Sequence, residues 1–277
     1  MQLNKLLIFP LFVLLSSFVA KEHLYGQIAK TINTTFEPGE ELTYVVSYNW
    51  LIPWIEVGEI KISVKNDDYN NSSAYHIIGE GTTFKSWDWF FKVRDRYESY
   101  IDTQTLKPFY FNRNIKEGSF KQFTAYDFDF NRCIVISKNT VKENPVKSDT
   151  ISITNSTFDI ISALFYARNL DLTRLKNGDT IPITIILDQE LYKIYFSYAG
   201  IENIKIKKLG NIECIKFNIA LVEGNIFRKG SHMTLWATND KNRLPVHIES
   251  PIIVGYVKAS ITDIRGNRYA INPAKDN

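Results

Sequence analysis

From residue 40 onward, hydrophobic and polar residues alternate in short runs that Gly, Asn, Asp and Pro interrupt. Alternation with a period of two buries one face of a β-strand, so each run predicts a half-buried strand. The first series of runs occupies residues 42–48, 59–65, 75–83, 92–101, 109–114, 120–130 and 133–137. A second series extends from 179 to 265. The polar stretch 138–155 between them is predicted to be a long connection.

Residues 157–169 are predicted to form a helix, because their apolar side chains recur every three to four residues. These apolar positions are Phe158, Ile161, Leu164 and Phe165. Ser156 precedes them and Asp159 follows it three residues later, a variant of the capping box that begins many helices. The pattern therefore predicts one packed helix between the two strand series.

Three landmarks occur in the same order in both strand series. The matching pairs are residues 39–44 and 178–183, 57–62 and 199–206, and 102–108 and 239–245. Turn residues also recur by chance in β proteins, so an unrelated origin of the two series is the alternative. We expect an all-β fold with antiparallel strands in curved sheets or an incomplete barrel and one α-helix on the concave side. The single β domain spans 27–277, with a first half of about 36–150 and a second of about 176–268.

The N-terminus has the features of a removable signal peptide. Lys5 is followed by residues 6–20, which carry no charge. This stretch is shorter than the about 20 residues that a membrane-spanning helix needs. Cleavage after Gly26 would leave Gln27 as the first residue, and cleavage after Ala20 is the alternative. We expect residues 1–26 to be removed, a periplasmic or secreted protein, and no transmembrane span in the mature chain.

Composition excludes several classes of protein. Hydrophobic residues make up 44% of the chain and charged residues 23%, so the chain is neither disordered nor fibrous. The formal net charge of +3 leaves no basic footprint for a nucleic acid. Aromatic residues reach 14%, which favours strands.

The chain contains two cysteines, Cys133 and Cys214. In an oxidising compartment the two can form a disulfide, and two free thiols are the alternative. Thr150 and Thr180 each stand between an Asp and an apolar residue. This spacing resembles the acceptor motif for O-glycans in exported proteins of some Gram-negative bacteria, and a chance match is the alternative.

The sequence lacks a serine-nucleophile elbow, a paired-His helix motif and a Cys-x-x-Cys motif. We therefore assign no catalytic residue, metal site or cofactor, and an enzyme is the disfavoured option. In the run 92–101, Asp95 shares a face with apolar side chains. A buried carboxylate needs a partner, so we predict an ion pair between Asp95 and Arg113, with a catalytic acid as the alternative.

Aromatic residues concentrate in two predicted connections. If the first four strands form a meander, the connections after strands one and three meet at one end of the sheet. They carry Trp50, Trp54, Trp87, Trp89 and Phe90. An apolar mouth that binds a ligand is one interpretation, and a plug that closes the core is the other.

Three segments resemble the signature of a family of exported proteins. They are WDWFFKVRDRYESYID at 87–102, FDIISALFYAR at 158–168 and LWATND at 235–240. The chain is similar here to the domain-of-unknown-function 3108 family, and the resemblance extends from about residue 36 to 263. It implies an exported protein of a Gram-negative bacterium and implies no activity.

Three classes of function fit these observations. The leading class is a non-enzymatic envelope protein that binds an apolar or amphipathic ligand. A structural or assembly factor that binds another envelope protein is the second class, and a glycan or lipid hydrolase is the third. The expected partners are accordingly a lipid, a glycan or an envelope protein, and no nucleic acid.

Overall fold

The computed structural model describes residues 32–49, 53–220, 232–252 and 254–271. These residues form fifteen strands and one helix. The strands before the helix are β1 Glu41–Asn49, β2 Ile55–Tyr69, β3 Ser72–Thr83, β4 Arg94–Asp102, β5 Pro108–Glu117, β6 Phe120–Asp129, β7 Ile134–Val141, β8 Lys147–Ser152 and β9 Thr157–Phe158. The helix α1 is Ile160–Arg168, and after it come β10 Thr180–Leu187, β11 Glu190–Ile206, β12 Gly210–Ala220, β13 His232–Thr238, β14 Pro245–Pro251 and β15 Tyr256–Arg265. The predicted signal peptide, 1–26, lies outside the described residues.

All described strands belong to one sheet of fifteen strands, in the order β8-β7-β6-β5-β4-β3-β2-β1-β15-β14-β13-β12-β11-β10-β9. Neighbouring strands are antiparallel except β9 and β10, which are parallel. Each half of the chain forms a meander, and the first strand pairs with the last in the middle of the sheet, from Glu41 opposite Arg265 to Asn49 opposite Tyr256. The prediction of an all-β, antiparallel fold is confirmed.

The sheet must curl, because its two outermost strands are close in sequence. Only residues 153–156 separate β8 from β9. Five Cα steps span at most about 18 Å, whereas a flat sheet of this size would be roughly 65 Å wide. Contacts between the two halves close the curve: Gln189, in the β10–β11 turn, donates its backbone N–H to the hydroxyl of Tyr126 in β6 at 3.1 Å.

The helix lies on the concave side of this sheet and contacts β4, β9 and β10, which belong to both halves. Its N-cap is Asp159, whose carboxylate accepts hydrogen bonds from the backbone N–H groups of Ile161 at 2.8 Å and Ser162 at 3.0 Å. The helix therefore begins three residues later than predicted, and Ser156 is not its cap. Residues 157–158 form β9 instead, because their backbone pairs with β10.

The predicted connection 138–155 is also corrected. Residues 134–141 form β7 and residues 147–152 form β8, an antiparallel hairpin at the sheet edge. Five of the six residues of β8 are exposed and the sixth is half-buried. A strand without a buried face shows no hydrophobic alternation, so its pattern resembles a polar loop.

The first landmark of each predicted half contains a glycine with the same backbone conformation. Gly39 and Gly178 both have positive φ, at 100° and 90°. Each donates its backbone N–H across the following hairpin, to Val64 O at 2.8 Å and to Tyr198 O at 2.9 Å. A common origin of the halves stays a prediction, which these matched turns support.

Candidate functional site

A groove of about 510 Å³ opens on the outer face of the sheet, where β1, β15, β14 and β13 lie side by side. Outward-facing side chains of these strands line it, and residues 204–207, at the end of β11 and just after it, also contribute. The lining includes Ser47, Trp54, Trp236, His247, Glu249, Lys258 and Ser260. Its volume lies in the range of about 300–1,000 Å³ that is typical of small-molecule sites.

Strand register brings these residues together from distant parts of the chain. Tyr44 and Val46 of β1 point into the core, so Val45 and Ser47 point outward. The outward residues form two rows across the strands. One row is Trp236, His247, Ser260 and Val45, and the next is Thr234, Glu249, Lys258 and Ser47.

A chain of hydrogen bonds crosses the lining of the groove. The Nδ1 atom of His247 is 2.7 Å from Ser260 Oγ, and its Nε2 atom is 3.0 Å from Glu249 Oε1. The hydrogen bond from His247 holds the pKa of Glu249 below its usual value. Sequence reasoning did not find this group, because Ser260 lies opposite His247 only through strand register.

The two tryptophans of the groove have different environments. Trp236 is 8% exposed, and its indole N–H donates to Glu202 Oε2 at 3.3 Å. Trp54 is 38% exposed, and Lys258 Nζ lies 4.2 Å from its ring centroid. The accessible indole of Trp54 and the ammonium group of Lys258 therefore place an apolar face and a positive charge side by side, where a ligand can contact both.

The structure does not bring the predicted tryptophan sites together in one place. Trp54 lines the groove, and half-buried Trp87 donates its indole N–H to Glu56 O at 3.0 Å. Trp89 and Phe90 point into solvent with exposures of 81% and 60%, so they do not plug the core. Trp50 lies outside the described residues.

An apolar cavity of about 90 Å³ separates α1 from the second half of the sheet. Ile160, Leu164, Phe196 and Leu235 contribute to its lining. A smaller cavity of about 30 Å³ shares Leu164, Phe196 and Leu235 with it. Both volumes fall well below those of small-molecule sites, so we regard this region as imperfect packing of the core.

Arg113 does not form its predicted ion pair with Asp95. Its guanidinium, which is 3% exposed, donates instead to the carboxylate of Asp188 in the β10–β11 turn. Strand alternation could not show this pairing, because it joins the two halves of the sheet. Asp95 is buried and accepts the backbone N–H of Lys116 at 2.8 Å.

Glu117 is a carboxyl neighbour of Asp95. Burial raises the pKa of Asp95, and burial together with the charge of Asp95 raises the pKa of Glu117. Two carboxyl groups that share a buried site cannot both ionise at low cost, so the pair retains protons at a higher pH than free carboxyls. Both residues lie on the concave side of the first meander, remote from the groove.

The two cysteines and the two predicted glycosylation sites lie apart from the groove. Cys133 is a free, exposed thiol in the β6–β7 turn and Cys214 is a free, buried thiol in β12, so the structure has the alternative of two free thiols and not the possible disulfide. Cys133 belongs to the first half of the sheet and Cys214 to the second. Burial raises the pKa of Cys214 to about 12. Thr150 is exposed in β8, and Thr180 is half-buried at the start of β10.

The single curled sheet around a helix defines a β-barrel-like protein. The chain belongs to the family described as protein of unknown function (DUF3108), whose model matches residues 43–262. No curated protein matches the chain. In the described residues no helix has both the length and the apolar character needed to cross a membrane.

The fold is similar to that of a solved structure. It is the crystal structure of a β-barrel-like protein of the domain of unknown function DUF1849 from Brucella abortus. The TM-score is 0.55 at 8% sequence identity, and the match covers 82% of this chain and 97% of the other. At this identity the likeness shows the shared fold alone.

Proposed function

We propose that this protein is an exported, non-enzymatic binding protein of the bacterial envelope that holds an amphipathic ligand in the groove. The groove of about 510 Å³ beside Trp54 is the observation that carries the proposal. It combines the volume of a small-molecule site with an accessible indole, whereas the apolar cavities beneath α1 are too small.

The lining indicates the chemistry of the ligand. The exposed indole of Trp54 suits an apolar chain or the flat face of a sugar. Lys258 and Lys205 supply positive charge to the groove. The charge of Lys207 is paired with Glu56, because its Nζ atom lies 3.8 Å from Glu56 Oε1. Hydroxyl groups of Ser47 and Ser260 add donors and acceptors. A ligand with an apolar face next to an anionic or hydroxylated group fits this lining.

Native mass spectrometry of protein purified from its own envelope without detergent tests the proposal. We expect wild type to carry a bound small molecule and Trp54→Ala to lose it. Trp89→Ala is the matched control, since Trp89 is an exposed tryptophan outside the groove. Wild type that emerges without any adduct, or Trp54→Ala that retains it, would contradict the proposal.

Export rests on the N-terminal pattern. The uncharged stretch 6–20 after Lys5, ending in small residues, supports cleavage and release as a periplasmic or secreted protein. N-terminal sequencing of protein from the envelope should begin at Gln27, or at Lys21 if cleavage follows Ala20. Retention of Met1 on a membrane-bound form would exclude this assignment.

Hydrolysis of a glycan or lipid ester is a second candidate, which the chain of Ser260, His247 and Glu249 favours. In an activated nucleophile, a serine hydroxyl is hydrogen-bonded to an imidazole, and a carboxylate orients that imidazole. Here Nδ1 faces the serine, the reverse of the usual serine-hydrolase triad. This activity would be established if wild type hydrolyses p-nitrophenyl esters and Ser260→Ala does not. Equal rates of hydrolysis in wild type and Ser260→Ala would exclude it.

A further inference from the structure

Three turns at one end of the first meander form a surface that the groove does not use. They are residues 84–93 between β3 and β4, residues 118–121 at the β5–β6 turn, which include the first two residues of β6, and residues 142–147 at the β7–β8 turn, which include the first residue of β8. We call these three segments the tip. Alternate turns of an antiparallel meander lie at the same end of the sheet. Hydrogen bonds join the three turns: Gly118 N–H donates to Lys92 O, and Lys142 N–H donates to Lys121 O, both at 2.8 Å.

The tip presents apolar side chains to solvent. Trp89 is 81% exposed, and Phe90 and Val146 are each 60% exposed. The ring centroids of Trp89 and Phe90 are 5.9 Å apart in an edge-to-face contact. Exposed large aromatic residues that adjoin one another in a turn require an explanation, because turns ordinarily carry small and polar residues.

The backbone of this turn is firmly held. The side chains of Trp87 and Phe91, which flank the exposed pair, pack against the core. Asp88 accepts hydrogen bonds from Thr83 Oγ1 at 2.7 Å and from Arg94 Nη2 at 2.6 Å. Two aromatic residues thus anchor the turn while the two between them face outward.

The charge of the tip is strongly one-sided. Its lysines are Lys85, Lys92, Lys121, Lys142 and Lys147, and all five are exposed. Its acids are Asp88, which Arg94 neutralises, and Glu143. The formal charge of these residues sums to 5 − 2 = +3.

We propose that the tip docks on a membrane surface that contains anionic lipids, with Trp89 and Phe90 at the level of the headgroups and the lysines on lipid phosphates. Indole rings favour the interface between water and hydrocarbon. Lysine stems can bury their methylenes while the ammonium group remains hydrated. A protein partner is the weaker alternative, because lysine is depleted from protein–protein interfaces. The proposal does not depend on the groove.

Co-sedimentation with vesicles tests this docking. We expect the exported protein to bind vesicles of phosphatidylethanolamine with phosphatidylglycerol, and to bind phosphatidylcholine vesicles weakly. The double substitution Lys85→Gln with Lys92→Gln should weaken binding on the order of tenfold at low salt. Trp89→Ala with Phe90→Ala should abolish binding to either vesicle, and brominated lipid should quench wild-type tryptophan fluorescence.

Matched controls separate the tip from general effects of charge and apolar surface. Lys65→Gln with Lys208→Gln removes two exposed lysines elsewhere, and Ile201→Ala removes an apolar side chain that is 55% exposed. Both controls should bind as wild type does. Failure of wild type to bind the anionic vesicles would overturn the proposal, as would equal weakening by the controls. If the tip captures a protein but does not bind vesicles, membrane docking is overturned and a protein partner is favoured.

Discussion

Arg168, at the end of α1, and Glu40, just before β1, form a two-pronged ion pair inside the core, with N–O distances of 2.6 and 2.8 Å. The two side chains are 3% and 0% exposed. The same guanidinium donates to the backbone carbonyl of Asn242, before β14. The pair therefore fastens the helix to both halves of the sheet.

Glu40→Ala should lower the free energy of unfolding by about 3–5 kcal/mol, because it leaves the Arg168 cation buried without a counter-ion. Urea denaturation measures this loss. Glu59→Ala is the control, since its partner Lys61 is 61% exposed and such a pair contributes at most about 1 kcal/mol. Equal losses in the two variants would mean that water reaches Arg168.

Asp95 and Glu117 should make the protein less stable as pH rises. Their pKa values are raised by burial to about 6 and about 7, so the folded state binds more protons than the unfolded chain above pH 4. The stability that protonation provides is complete below about pH 4 and is lost as pH rises through the folded values. Asp95→Asn removes one of these titrations.

Thermal unfolding between pH 4 and pH 8 measures this difference. The melting temperature of Asp95→Asn should rise relative to wild type as pH increases, because the amide cannot ionise. Asp68→Asn changes an exposed aspartate and should give a curve parallel to wild type. A parallel curve for Asp95→Asn as well would show that Asp95 titrates as an ordinary carboxyl.

Asp159→Ala should destabilise the protein far more than Ser156→Ala. The carboxylate of Asp159 accepts hydrogen bonds from two helix N–H groups and from the hydroxyls of Ser99 at 2.8 Å and Ser162 at 2.7 Å. Loss of an N-cap costs about 0.5–2 kcal/mol, and buried hydroxyls without partners add to it. Urea denaturation should therefore give a loss of roughly 2–4 kcal/mol for Asp159→Ala and under about 1 kcal/mol for Ser156→Ala. Similar losses of unfolding free energy in the two variants would indicate that Ser156 caps the helix.

The two thiols should react at very different rates. Cys133 is exposed, whereas Cys214 is buried and its pKa of about 12 leaves it protonated at neutral pH. A maleimide added to native protein should modify one thiol, and a second only after denaturation. Intact mass before and after urea provides the measurement. A native protein that takes up no label even in urea would contain a disulfide.

Sequence reasoning found the fold because most strands have one buried and one exposed face. It identified β1 to β7 and the single helix from their periods. It missed β8, whose residues are nearly all exposed, and it misplaced the helix start because Ser156 and Asp159 both suit a cap. The strand order of the sheet, with β1 next to β15, has no signature in local periodicity.

The groove was only partly predictable. Trp54 is identifiable from the sequence because a tryptophan in a connection is unusual. The sequence gives no such signal for His247, Ser260 and Lys258, because outward side chains at alternating positions are also typical of an ordinary solvated face. The groove also depends on residues from elsewhere in the chain, among them Ile204 at the end of β11 and Lys207 just after it, which local periodicity cannot place beside that face.

The pairing of β1 with β15 has a consequence for how the chain is made. The two strands are separated by more than two hundred residues, so the centre of the sheet closes only after the C-terminal strand has emerged. Until then the chain carries two bare hydrogen-bonding edges, one on β1 and one on β14, in what will become the interior of the sheet. Such long-range closure is slow, and open edges recruit other chains. A chain that stops before Tyr256 is therefore a template for aggregation, although most of its strands already have their partners.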